Sequence, residues 1–210
     1  MNLNKKLIIF AAALLLIMVA AVPASADEIA FKNLISRLSD EGLVPDSRGT
    51  ITSYGTYEDN LALLGYVQWF PLREAKNFVL SAKVDWTNSM EHPDSTKAGC
   101  GFIYQAQEDG PNHMMASVRL DGTMHISGLK DYVYLKYGNV YYGQPSVEGS
   151  ADLTIVVNDI YLTVFVNGER VIQKAGLPIF GSSIGLATLS GTNFSWGTKC
   201  SWSDIYLYTW

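Results

Sequence analysis

Beyond Gly42 the apolar residues of this chain return at every second position, in short runs separated by turn-forming residues. A period of two sends alternate side chains to opposite faces of an extended strand, so the pattern asks for sheets with a dry and a wet side. Runs rich in Val, Ile, Tyr, Phe and Trp fall at 63–70, 78–86, 99–106, 114–120, 123–127, 132–136, 152–157, 160–166, 169–173, 184–189 and 200–208. Short strands spaced this regularly predict an all-β sandwich or barrel. Asp121-Gly122 and Asn167-Gly168 are dipeptides that supply positive φ at both central positions of a type I′ turn. Asn158-Asp159 lies between LTIVV and IYLTVFV, so neighbouring runs pair antiparallel there too. The stretches 87–98, 107–113, 137–150 and 190–199 read as loops.

Alternation assigns faces. In FVLSAKVDW, Leu80, Ala82, Val84 and Trp86 share the dry side, and Ser81, Lys83 and Asp85 the wet one. In MASVRLDG, Met115, Ser117 and Arg119 oppose Ala116, Val118 and Leu120.

The N-terminal part follows other rules. A basic start at Lys5 and Lys6, an apolar run from Leu7 to Val22, Pro23 and then Ala24-Ser25-Ala26 have the layout of a secretory signal peptide cleaved after Ala26. The competing reading is an uncleaved anchor, because the run falls slightly short of a full span. From Asp27 to Gly42 the period becomes helical, with Phe31, Leu34, Ile35 and Leu38 on one side, Asp27 as cap and Gly42 as stop. This predicts a short amphipathic helix packed on the domain, or one that docks a partner. The expected organisation is a signal peptide over 1–26, a helix and lead-in over 27–59, and one sandwich over 60–210.

Losing the leader's two lysines takes the net charge from −5 to −7. That acidity, with no basic patch, argues against nucleic acid and anionic membrane surfaces as partners. After cleavage no segment is long and apolar enough to span a bilayer, so the expected destination is secreted or extracytoplasmic, periplasmic or extracellular. Two cysteines remain, Cys100 and Cys200, each in a predicted strand. In an oxidising compartment they are expected to form one disulfide, with two buried thiols as the alternative.

The succession FVLSAKVDW, AGCGFIYQAQEDGPNHMMASVRLDGTMHI, DLTIVVNDIYLTVFVNGERV, SSIGLATLSG and CSWSDIYLY resembles the concanavalin A-like lectin/glucanase superfamily of laminin G-like jelly rolls, over residues 60–208. Its most telling piece is the hairpin ending in VNGERV, followed by an IGL strand and a closing strand. The resemblance implies two packed antiparallel sheets. Members include sugar-binding modules, glycosidases, adhesion domains and polysaccharide-associated proteins, so fold is better specified than function.

Glycosidases of this fold carry paired acids in an E-x-D-x-x-E run, because acid and nucleophile must face the sugar from one side. This chain has none. Glu108-Asp109 and Asp40-Glu41 are adjacent and diverge on a strand or sit in turns. His92, His113 and His125 lack ligand spacing, although His92 with Glu91 and Asp94, and His113 after EDGPN, lie in loops able to share a metal. Calcium would find Asp94, Asp109 and Asn112 in suitable loops, but no motif marks them and no cofactor is expected. There is no G-x-S-x-G elbow and no phosphate-cradling glycine loop.

Binding is better supplied. Sugar rings present apolar C–H faces that stack on Tyr or Trp while Asp, Asn, Gln and Arg hold the hydroxyls. The segment DYVYLKYGNVYYGQ offers Tyr137, Tyr141 and Tyr142 in an expected loop, whereas Trp86, Trp196 and Trp202 belong to the core or its rim. Lys83, Asp85, Gln105 and Arg119 have the parity to line a groove beneath them, the bland alternative being a solvated sheet face. The reading is therefore an exported, non-catalytic carbohydrate-binding module. The alternatives are a protein-interaction or adhesion domain and a glycoside hydrolase with an unrecognised site.

Overall fold

A computed structural model describes residues 26–45 and 48–210. One helix, α1 (Ala26–Asp40), precedes thirteen strands: β1 (Thr50–Tyr54), β2 (Tyr57–Leu61), β3 (Val67–Glu74), β4 (Phe78–Asn88), β5 (Gly99–Ala106), β6 (His113–Arg119), β7 (Thr123–Lys130), β8 (Val133–Tyr141), β9 (Glu148–Asn158), β10 (Tyr161–Val166), β11 (Glu169–Lys174), β12 (Ser183–Leu189) and β13 (Thr198–Thr209). They form two antiparallel sheets. One has seven strands, in the order β1-β13-β4-β9-β10-β11, with β2 also paired to β13. The other has six, in the order β3-β12-β5-β6-β7-β8. The expected all-β two-sheet sandwich with a short N-terminal helix is what forms. The expected signal peptide lies outside the described residues apart from Ala26, which opens α1.

The dry faces meet as the alternation requires. Leu80, Ala82, Val84 and Trp86 of β4 pack against Phe102 and Tyr104 of β5 and Ala116 and Val118 of β6 in the main core. Cys100 and Cys200 are bonded across this core, joining β5 of one sheet to β13 of the other with Cα atoms 5.8 Å apart. The bond closes a separation of 100 residues, for which the chain-entropy model gives about 4.7 kcal/mol.

The outer faces differ. α1 lays Phe31, Ile35 and Leu38 on Val79, Val156, Phe165, Tyr206 and Tyr208 of the seven-stranded sheet, with Phe31 stacked on Tyr206 at 5.2 Å between ring centroids. Asp27 sits inside the first turn instead of capping it, where its charge favours the helix N-terminus. At the other end Gly42 has φ +71, Leu43 N–H donates to Leu38 O at 2.9 Å and Gly42 N–H to Ser39 O, closing the helix by a left-handed cap.

Several local expectations change. Residues expected as lead-in supply β1 and β2, both on β13, although their polar side chains are mostly exposed and carry little alternation. β8 runs on to Tyr141 through what reads as a loop, because a register shift opposite Ile126/Ser127 absorbs an extra residue. Asn167 (φ 52) and Gly168 (φ 80) make the expected turn. At Asp121-Gly122 only Gly122 is left-handed, and the loop has three residues: Gly122 N–H donates to Arg119 O, and Asp121 Oδ1 accepts from Thr123 N–H at 3.0 Å.

Candidate functional site

With α1 over the seven-stranded sheet, the outer side of the six-stranded sheet is the broad face left open among the described residues. Along β5, β6 and β12 a second apolar cluster of Ile103, Met115, Ala187 and Leu189 lies on this side, with Val67 and Trp69 of β3 packed against it. Beside it opens a groove of about 560 Å³. Its lining comes from both edge strands and those between: Val67 on β3, Leu189 on β12, Arg119 on β6, His125 and Leu129 on β7, Tyr134 and Lys136 on β8. Tyr66, Thr96 and Lys97 close it from two loops.

Arg119 is the centre of the polar part. It ends β6, whose hairpin to β7 is fixed by the Asp121 bonds, and its own carbonyl accepts from Gly122 N–H at 3.1 Å and from the Tyr142 hydroxyl at 3.4 Å. Its cross-strand partner is Gly99. A Cβ at that glycine would stand 3.0 Å from Arg119 Cδ and 2.2 Å from Val118 O, so the bare backbone of Gly99 leaves room for the arginine stem. The guanidinium is held on three sides: Nε donates to Ser117 Oγ at 3.0 Å, Nη1 to Thr96 O at 3.2 Å and Nη2 to the Tyr134 hydroxyl at 3.0 Å. That hydroxyl in turn donates to Ser127 Oγ at 2.7 Å.

Arg119 is only 4 % exposed. Among the described residues no carboxylate lies within ion-pair distance of it. Burial pushes its pKa below the ordinary arginine value, opposed by the Tyr134 hydroxyl and more weakly by Asp121 and Asp94. An arginine does not give up its proton under these conditions, so the groove floor carries a desolvated positive charge. Next to it, burial and the charges of Arg119 and Lys136 push His125 down to about 4. The ring is neutral near pH 7, and its buried Nδ1 has no protein partner among the described residues. Lys97 pairs with Asp94 at 2.9 Å.

The structure separates the residues that parity alone had grouped. Arg119 lines the groove. Lys83 and Asp85 do lie on a wet face, but it is that of the seven-stranded sheet, on the far side of the sandwich. Lys83 borders a cleft of about 440 Å³ between that sheet and α1, and Asp85 a shallow recess with Glu58 and Lys199. Gln105 does not reach the open face: it has φ 49 at a register shift opposite Ser183/Gly185, is 2 % exposed, and its Nε2 donates to Asp159 O at 2.7 Å. It ties the end of β5 to the β9–β10 turn.

Of the three tyrosines, Tyr137 and Tyr142 pack on the main core. Tyr141, 77 % exposed, stands on the opposite side of β8 from Val140 and Tyr142, beyond the groove. Trp202 is fully buried, Trp86 nearly so with its Nε1 donating to Ser146 O, and Trp196 stands at the rim. Among the described residues no three His, Cys, Asp or Glu side chains gather as a metal group. Asp94 is committed to Thr96 and Lys97, and Asn112 donates to Asp131 Oδ1. Tyr66, Lys97, His125, Leu129, Tyr134 and Lys136 were not singled out as site residues. The available signal was the parity shared by Arg119 and Ser117, extended across the β6–β7 hairpin to His125 and Ser127.

No protein-family model matches this chain, and no curated protein matches it by sequence. Solved structures do match. A crystal structure of A. japonicus CB05 aligns over 78 % of this chain and 26 % of its own length, at 15 % identity and a TM-score of 0.53. Aspergillus kawachii beta-fructofuranosidase complexed with glycerol aligns over 83 % of this chain and 29 % of its own length, at 15 % identity and a TM-score of 0.52. This chain thus spans under a third of either protein. The carbohydrate binding module CBM66 from Bacillus subtilis aligns over 73 % of this chain and 95 % of its own, at 11 % identity and a TM-score of 0.48. Two stacked antiparallel sheets in this strand order, together with the two likenesses above a TM-score of 0.5, show the jelly-roll, concanavalin A-like β-sandwich fold.

Proposed function

We propose that this chain is an exported, non-catalytic carbohydrate-binding domain and that its site is the groove on the six-stranded sheet. The observation that carries the reading is the Arg119–Tyr134 pair: a buried donor group immobilised at the floor of a groove with aromatic walls. Ligand sites combine an apolar lining with a few fixed polar groups, and a sugar needs that combination because each ring has C–H faces and hydroxyl edges. Tyr66 and Tyr134 bring aromatic rings to the lining, and Arg119, His125 and Lys136 bring polar side chains. The groove takes lining from β3 and β8, the two edges of the sheet, which suits an oligosaccharide more than a single sugar. Among the described residues its lining holds no Asp or Glu, whereas glycoside hydrolysis normally requires two carboxyls facing one bond. The Cys100–Cys200 bond supports export, since such bonds persist in oxidising compartments.

A glycan array probed with residues 27–210 tests the reading. Retention on at least one polysaccharide-derived probe, lost in Tyr134→Ala with the fold intact by circular dichroism, is the expected result. Retention unchanged in that variant would move the site elsewhere, and hydrolysis of the bound glycan would make the chain an enzyme.

A further inference from the structure

The chemistry of the groove goes further than sugar binding in general. We propose, resting on the glycan-binding reading above, that the groove selects acidic sugars and that Arg119 receives the carboxylate of a uronic acid residue.

The protein as a whole is acidic, with a net charge of −5, yet among the described residues the groove is lined by Arg119, Lys97 and Lys136 and by no acid. Lys97 is already paired with Asp94, while Lys136 makes no ion pair among the described residues. A buried cation without a counter-ion is costly to keep, and burial of charge is ordinarily compensated by a partner of opposite sign. The protein meets Arg119 with a serine hydroxyl, a backbone carbonyl and a tyrosine hydroxyl, three neutral acceptors that orient the guanidinium without neutralising it.

Donor arithmetic then narrows the class of anion. A guanidinium has five N–H groups. One is on Nε and is taken by Ser117, one on Nη1 is taken by Thr96, and one on Nη2 by Tyr134. One N–H remains on each terminal nitrogen. Two unspent donors, one on each terminal nitrogen, match in number the two oxygens of a carboxylate, the pairing at which arginine surpasses lysine. Stem and head are both fixed in advance, the stem beside Gly99 and the head by its three acceptors, so little rotamer freedom is lost when the anion arrives. A free carboxylate would use only this floor. A uronate also brings a ring whose faces fit the Tyr66 and Tyr134 walls and hydroxyls that reach His125 and Lys136.

The test compares each acidic glycan with its own neutral counterpart, so that ring shape stays constant while the charge is removed. Oligogalacturonate, alginate and hyaluronan oligosaccharides are titrated calorimetrically beside their carboxyl-reduced forms, with acetate at equal carboxylate concentration as competitor. The expected result is binding of at least one acidic oligosaccharide about tenfold or more tighter than its reduced form. That preference should be lost in Arg119→Lys, which keeps the charge but not the fork, and acetate should not displace the glycan. Because Arg119 variants leave Ser117 and Tyr134 without their donor, Lys136→Gln serves as a second variant that disturbs no hydrogen bond. It should weaken the acidic partner several-fold more than the reduced one. Equal binding of acidic and reduced forms would overturn the inference while leaving the glycan reading standing. Failure of every acidic and neutral glycan in the titrations and on the array would overturn both. Displacement by acetate, or equal binding of poly-glutamate, would show an anion site with no claim on sugars.

Discussion

The Tyr134 hydroxyl accepts from Arg119 Nη2 at 3.0 Å and donates to Ser127 Oγ at 2.7 Å, so one phenol group couples β6, β7 and β8 on the open face. Removing it alone, in Tyr134→Phe, keeps the ring for stacking and takes away both bonds. The expected cost is about 1–2 kcal/mol of stability, with sugar binding weakened roughly tenfold because the guanidinium is no longer held. Chemical denaturation and calorimetry on the same preparation check both halves.

The disulfide gives a stability prediction separate from the site. Cys100→Ser with Cys200→Ser should cost about 2–5 kcal/mol, and the unreduced wild-type protein should show no alkylatable thiol by mass spectrometry. Two alkylated cysteines in the unreduced protein would refute the bond.

Acid should destabilise the fold through His125. Its folded pKa, about 4, lies below the ordinary value near 6.5, so the unfolded chain takes up the proton first. The stabilising difference is fully present above about pH 6.5 and is lost progressively as the pH falls towards 4. His113, pushed down by burial, acts in the same direction. Melting curves of wild type and His125→Gln at pH 7 and pH 5 separate the two. Wild type should lose more Tm on acidification than the variant, and equal losses would clear His125 of the effect.

The two outer faces of the sandwich should respond independently. Phe31→Ala removes the ring stacked on Tyr206 and should cost about 3 kcal/mol. Lys83→Ala with Asp85→Ala should change stability by less than about 0.5 kcal/mol. Both variants should leave glycan affinity unchanged at a temperature where they are folded, since their residues lie across the core from Arg119. Loss of affinity in the Lys83 and Asp85 variant would place a ligand on the helix side.

Some strands were legible because a half-buried strand must alternate, as β4 and the first halves of β9 and β13 do, whereas β6 and β10 are buried on both faces and were legible as short apolar runs between turns. β1 and β2 were not, since an edge segment such as TITSY or YEDNL is held by backbone pairing to β13 and leaves no apolar rhythm. Of the candidate groove, one residue was legible. Parity put Arg119 on a wet face correctly, but parity cannot say which sheet a strand joins: β4 and β5 are consecutive in the chain and stand in opposite sheets. Gln105 failed for a different reason, because a single left-handed residue at the end of β5 breaks the alternation from which its side was inferred. Tyr134 lies opposite Leu129, on the turn side of the bulge at Ile126/Ser127, and its place beside Arg119 depends on two successive pairings, β8 with β7 and β7 with β6.

The most direct measurement of the central claim is chemical-shift mapping of the isotope-labelled protein with an array-positive oligosaccharide. The account predicts that the largest perturbations cluster at Arg119, His125, Tyr134 and Lys136, with Tyr66 and Lys97 moving beside them. Perturbations centred instead on α1, Lys83 and Asp85, or the absence of any in the groove at saturating glycan, would contradict it.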